Sequence, residues 1–266
     1  MGIDISHFSY EKIGEYQAYV QETESVLKQI RKLDADPFYR IENDIRYEQR
    51  NCNDAMLLGY PSITHYSSVL PYSVSKYASE EGMSSYPGSL SVVYKKEEAN
   101  AEAAGRNGIK YLITKSLPDN MQGWTLFSQD ASVNILKNTA YQPMIRFENE
   151  KCETRIESVE NGKIATKLFN ENEKLEKLII LIPWHQGWQL KLDGKDIVPD
   201  KYKSAMMEVM IPTGNHEFTM NFHPVYLKEG TIVSVISTVL FFGLLFVNHR
   251  KSRKRLLILP ERGIIY

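Results

Sequence analysis

The run from Gly230 to Val247 contains no charged side chain, and His249, Arg250, Lys251, Arg253, Lys254 and Arg255 follow it at once. As a helix its 18 residues cover about 27 Å at about 1.5 Å each, close to the roughly 30 Å hydrocarbon thickness of a bilayer. Cations that follow an apolar segment resist translocation. The pattern therefore reads as a stop-transfer helix, with the basic tail in the cytoplasm and everything before Tyr226 outside. Gly230 and Val247 bound this anchor, and Arg250, Lys251 and Arg253 mark its inner end. Tyr226 and Lys228 fall at interfacial depth on the outer side. The competing reading, a buried helix of a soluble core, does not account for so many cations directly after the apolar run. Leu256 to Leu259 and Ile264 to Tyr266 are expected at the inner interface.

With 266 residues and 42% hydrophobic content, the chain can bury a real core before the anchor. A net charge of −1, with the one dense basic patch explained by topology, argues against a nucleic-acid partner. Met1 starts without a basic n-region or an apolar h-region. The chain is therefore expected to be the C-terminal piece of a longer, multi-spanning protein whose N-terminal membrane core lies upstream. Cys52 and Cys152 lack a CxxC or CxxH neighbour, so they are not a zinc site; disulfide pairing and independent burial both stay open.

Between Ser9 and Leu33, Ile13, Tyr16, Val20, Leu27 and Ile30 recur on one helical face, with Thr23 filling a slot. Ser9 is a candidate N-cap, and Asp36-Pro37 ends the pattern. Phe38 to Glu42 alternates as a strand, with Tyr39 and Ile41 on one side and Phe38, Arg40 and Glu42 on the other. Pro71 suits the start of a helix reaching Glu81, stopped by Gly82. A second helix is expected from Lys95 to Arg106, leading through Asn107-Gly108 into a strand at Ile109 to Thr114. From Gly123 onward helical periodicity gives way to short alternating runs near Trp124 to Phe127, Val133 to Leu136 and Met144 to Phe147. Asn161-Gly162, Asp193-Gly194 and Gly214-Asn215 read as two-residue turns between strands, with Leu178 to Ile182, Trp188 to Leu192, Met206 to Ile211 and Glu217 to Phe222 as strands of a β-sandwich.

The fold class that follows is α+β: a mixed α/β extracytoplasmic domain, then a β-sandwich, then one C-terminal transmembrane helix. The expected boundaries are an amphipathic helix over 1–36, the mixed domain over 37–157, the sandwich over 158–224, the membrane helix over 225–248 and a basic cytoplasmic tail over 249–266.

Catalytic signatures are missing from the sequence: it has no G-x-S-x-G elbow, no P-loop, no G-x-G-x-x-G and no H-x-x-x-H pair. No nucleophile, metal ligand set or cofactor motif can be named. The stretch from Tyr60 to Ser68 is the best site candidate, because Tyr60, His65, Tyr66 and Ser67 could hydrogen-bond a hydroxylated ligand. A tightly bonded packing loop is the equal alternative. Arg40 and Glu42 read either as members of an ion-pair set or as polar groups lining a cleft. Glu42 with Asp44, at strand spacing, resembles a solvated surface pair. In Pro183-Trp184-His185-Gln186-Gly187-Trp188, two indoles flank polar groups as on sugar-binding surfaces; Trp188 is expected in the core, and Trp184 is left as a possible ligand platform.

Taken in order, Phe38 to Glu42, Asn53 through Leu58-Gly59-Tyr60 to His65-Tyr66-Ser67-Ser68, Ile109 to Leu112, Leu136-Lys137-Asn138, Ile182-Pro183 with Gly187-Trp188, Asp193-Gly194-Lys195 and Pro212-Thr213-Gly214 resemble the C-terminal half of the YfhO family of bacterial membrane proteins. The resemblance implies a polytopic GT-C-type glycosyltransferase. Such an enzyme moves a sugar from a polyprenyl-phosphate donor to a cell-envelope polymer, with lipoteichoic acid as the Gram-positive case. The multi-helix core that carries catalysis in such enzymes is not in this sequence, so catalysis is assigned to none of its residues. The alternative is a single-pass, membrane-anchored glycan-binding or structural module without catalysis.

Overall fold

The computed structural model describes residues 13–45, 53–83, 85, 87–94, 100–118, 120–130, 133–160 and 162–256, with side chains described as far as Arg250. The Ser9 cap, Cys52, the start of the helix expected from Lys95, Asn161 of the Asn161-Gly162 turn and the stretch from 257 to Tyr266 lie outside the described residues.

The chain divides into two compact units, 1–221 and 222–266. In the first, helix α1 (Ile13–Leu33) ends just before Asp36-Pro37 and is followed by β1 (Arg40–Asn43). Next come α2 (Asp54–Leu58), β2 (His65–Tyr66), α3 (Tyr72–Glu80), β3 (Ser91–Val92) and α4 (Ala101–Arg106). Pro71 caps α3 from an extended conformation, as a residue with no N–H to leave unpaired can. The Asn100 side chain accepts from the Ala103 N–H and caps α4. Strands β4 (Ile109–Thr114), β5 (Trp124–Asp130) and β6 (Val133–Asn138) complete a sheet of order β1-β4-β6-β5, in which β1 runs parallel to β4 and the other pairs are antiparallel.

Helices cover both faces of that sheet. On one, Val26, Leu27 and Ile30 of α1 pack with Tyr39, Ile41, Tyr111, Ile113 and Ile135. On the other, Ala78 of α3 and Ala101 and Ala104 of α4 pack with Ile109, Leu112 and Leu136. The alternation read at Phe38 to Glu42 holds, since Tyr39 and Ile41 enter the α1 cluster while Phe38 enters the sandwich core. Register is less regular than the sequence suggests. Arg40 opposes Ile109 while Ile41 opposes Tyr111, so Lys110 is the extra residue of a bulge.

The sandwich stacks sheet β13-β14-β10-β7 on sheet β12-β11-β15-β9-β8. Its strands are β7 (Ile145–Phe147), β8 (Glu153–Glu160), β9 (Lys163–Asn170), β10 (Glu176–Pro183), β11 (Trp188–Leu192), β12 (Lys195–Ile197), β13 (Asp200–Tyr202), β14 (Met206–Ile211) and β15 (Gly214–Phe222). Leu178 and Ile180, Met207 and Ile211, Leu168, and Phe218 and Met220 fill the space between the sheets. The Asp193-Gly194 turn is as expected: φ of 50° and 78° at the two residues closes the β11–β12 hairpin. The Gly214-Asn215 expectation is corrected. Both residues sit inside β15 and pair with Asn170 and Phe169. The chain instead turns at Pro212-Thr213, where it crosses from one sheet to the other, so this connection is not a hairpin.

In the second unit, α5 (Leu227–Leu256) carries a segment, Leu227–Arg250, long and apolar enough to cross a membrane. Its apolar side chains are exposed, as a bilayer-facing surface requires and a soluble core helix would not show. Gly230 and Val247 lie within α5, and Arg250 stacks over the Phe246 ring at 4.5 Å.

Candidate functional site

The loop favoured by sequence is held from beneath by Glu42. This carboxylate, 1% exposed, is not the solvated surface group its spacing with Asp44 suggested. The loop covers it. Ser62 Oγ donates to Oε1 at 2.8 Å, the Ile63 N–H donates to the same oxygen, and Thr64 Oγ1 donates to Oε2 at 2.7 Å. Thr64 Oγ1 in turn accepts the Tyr94 N–H. Burial raises the Glu42 carboxyl above its ordinary range, outweighing the opposing effect of the hydrogen bonds from Ile63, Thr64 and Ser62.

Arg40, two residues earlier on β1, forms no ion pair with Glu42. It spans the junction of the α/β sheet and the sandwich, donating to the Asn107 carbonyl at 2.6 Å and the Leu181 carbonyl at 2.7 Å. Burial lowers the pKa of its guanidinium. Two cavities adjoin it. One, of about 180 Å³, is lined by Arg40, His65, Tyr77, Asn107 and Met206 among others. The second, of about 310 Å³, has Arg40, Pro61, Glu160, Leu181 and Trp188 in its wall.

The structure thus brings Arg40 and His65 together at one cavity and puts Glu42 behind the same loop. It separates the remaining candidates. Tyr60 is buried in the α1 cluster, where burial raises its hydroxyl pKa, and it lines neither cavity. The Tyr66 ring is exposed, its backbone N–H donating to Asn53 Oδ1, and the Ser67 N–H donates to the Leu90 carbonyl. Trp184 is exposed with the Lys201 ammonium 5.0 Å from its ring centroid, whereas Trp188 packs against the sandwich core as expected.

Sequence reasoning missed Asn107, Tyr77 and Glu81. The Tyr77 hydroxyl donates to Asn107 Oδ1 at 3.0 Å. Asn107 Nδ2 donates to Glu81 at 3.4 Å, and Lys203 pairs with the other Glu81 oxygen. This clasp fastens α3 to the sandwich. Asn107 was legible as a turn residue, but nothing local marks a turn asparagine as buried. Cys152 is a buried, free thiol bonded to Asn170 Oδ1. Among the described residues, no group of three or more His, Cys, Asp or Glu side chains could hold a metal ion.

A two-faced α/β layer, a β-sandwich and one long apolar helix define a membrane-associated α+β protein. The chain belongs to the YfhO family: the model described as "Bacterial membrane protein YfhO" matches residues 2–155 and 150–234. It is 28% identical over 120 residues to "Uncharacterized protein YfhO" of Bacillus subtilis (strain 168), covering 41% of this chain and 14% of that relative. No solved structure matches the chain.

Proposed function

We propose that this chain forms the extracytoplasmic, acceptor-side part of a membrane glycosyltransferase. The enzyme would transfer a sugar from a polyprenyl-phosphate donor to an envelope polymer such as lipoteichoic acid. The observation that carries this reading is the family match, which runs through the α/β layer and the sandwich into the apolar helix. The match covers 14% of the curated relative's length, and in this reading catalysis is the work of the rest of the whole protein. Exposed Tyr66 and Trp184 are the platforms on which a glycan would stack.

The test uses the whole protein in its native membrane. Deleting the gene should remove sugar from the envelope polymer, and Trp184→Ala with Tyr66→Ala should reduce transfer while leaving the protein in the membrane. Sugar content unchanged by the deletion overturns the proposal. The orientation has its own check. Val198→Cys on a cysteine-free background, at a site 89% exposed, should react with a membrane-impermeant maleimide added to intact cells.

A second reading, a non-catalytic envelope module anchored by α5, is favoured by one observation: Ser62 and Thr64 spend their hydroxyls on Glu42, as in a packing loop. It predicts polymer binding with no loss of sugar on deletion.

A further inference from the structure

Arg40 is a half-buried cation that feels the Glu42 carboxylate at a distance but does not bond to it. None of the ion pairs among the described residues involves it, and its hydrogen bonds run to two neutral carbonyls. A guanidinium carries five N–H donors, so three have no acceptor among the described residues. Arg40 is in the wall of both cavities. A half-buried cation bonded only to neutral carbonyls gains from an anion supplied from outside.

The cavities differ in charge. The larger one has the Glu160 carboxylate in its wall, whereas the smaller has no acidic side chain among its lining residues. Glu42, the nearby carboxylate, turns both oxygens to the Ser62–Thr64 loop. The smaller cavity also has Ser62, His65, Tyr77 and Asn107 as polar lining residues. His65 Nδ1 donates to the Ile63 carbonyl at 2.8 Å, which leaves Nε2 for a ligand. Val74, Ala78, Met83, Val92 and Met206 give the wall its apolar part, and the polar groups of Ser62, Tyr77 and Asn107 are bonded to protein partners.

We propose that this cavity binds a small organic anion, an oxyanion head on a short apolar body, with Arg40 as the cationic anchor. Carboxylate and phosphate heads share the fork geometry that a guanidinium recognises. The Asn107 and Leu181 carbonyls fix the guanidinium beforehand, so binding needs no reorganisation of the site. The site goes beyond the transferase reading and does not depend on it.

The experiment is calorimetric titration of the full chain in lipid nanodiscs, with empty nanodiscs subtracted, using hexanoate, butyl phosphate and the neutral control hexanamide. At least one anion should bind saturably, at least tenfold more tightly than hexanamide; which anion does so identifies the head group. Arg40→Met should abolish binding. Because Arg40 also ties the two layers together, Ala78→Leu serves as the second variant: it fills the cavity, leaves both carbonyl bonds in place and should abolish binding too. Failure of both anions to saturate, hexanamide binding within tenfold of them, or native affinity in Ala78→Leu overturns the proposal.

Discussion

Lys110 places its ammonium 2.7 Å from the carboxylate of Asp34, the residue that follows the last turn of α1. The β4 bulge makes this contact possible, because the extra residue swings Lys110 to the same side as Tyr111, whose hydroxyl donates to Asp34 at 2.7 Å. Asp36 lies 2.9 Å from the same ammonium and accepts the Tyr141 hydroxyl. The rings of Tyr39 and Tyr141 each stand 4.9 Å from it. One bulged lysine thus fastens the end of α1 to the sheet.

Burial alone would raise the Asp34 carboxyl, but the bonds from Lys110 and Tyr111 outweigh it and hold it below the ordinary value of 3.8. A carboxyl depressed on folding contributes stability that is complete above its unfolded value and is lost as the pH falls through the folded one. Lys110→Met leaves two carboxylates without their cation and should cost about 3 kcal/mol at neutral pH. Urea unfolding should show that deficit shrinking as the pH falls through the lowered Asp34 value and that carboxyl protonates. A deficit independent of pH would place the loss in packing instead.

Glu42 behaves in the opposite sense. Its carboxyl is raised in the folded state, so its contribution is complete below the unfolded value and declines as the pH rises through the folded one. Glu42→Gln keeps an acceptor for Ser62 and Ile63 and abolishes the titration. It should change stability by less than about 1 kcal/mol near pH 4 and flatten the decline toward pH 7. Glu42→Ala leaves three half-buried donors without their acceptor and should cost about 3 kcal/mol at either pH. Chemical denaturation of the three proteins at both pH values separates these outcomes.

Much of the architecture could be read from periodicity. The α1 stripe, the β4 run and the Asp193-Gly194 turn are local signals, and each forms where it is written. The membrane helix is legible for the same reason: an uncharged run followed by cations is a contiguous pattern. Long-range facts were not. That Glu42 is sealed under a loop 20 residues later, or that Arg40 reaches a carbonyl 141 residues away, depends on how layers stack. Spacing along a strand is the same for a solvated acid and a buried one. Gly214-Asn215 misled because a turn dipeptide was inferred where a proline-led crossover does the turning.

Gly105 sits in α4 where a side chain has no room. A Cβ there would lie 2.0 Å from the Ala140 carbonyl oxygen, and the Gln142 N–H donates back to the Gly105 carbonyl at 3.1 Å. Helix propensity favours alanine over glycine by about 1 kcal/mol, so an exposed helical glycine would gain from the change. Here the clash is with backbone, which cannot rotate aside. Gly105→Ala should therefore destabilise by about 3 kcal/mol, and thermal unfolding monitored by circular dichroism checks both the sign and the size.

Leu240 lies near the middle of the apolar run and is exposed on α5. Two hydroxyls of this segment are satisfied within the helix, for Thr231 Oγ1 donates to the Leu227 carbonyl at 2.7 Å and Thr238 Oγ1 to the Ser234 carbonyl at 2.8 Å. The run from Gly230 to Val247 carries no charge, so a charge placed in it adds a new cost. An arginine at mid-bilayer raises the insertion free energy by about 3 kcal/mol. Leu240→Arg should shift a substantial share of the chain out of the carbonate-resistant membrane pellet, while Leu240→Phe, apolar and bulkier, should leave the distribution unchanged. Equal recovery of both variants in the pellet would mean that contacts other than α5 hold the protein at the membrane.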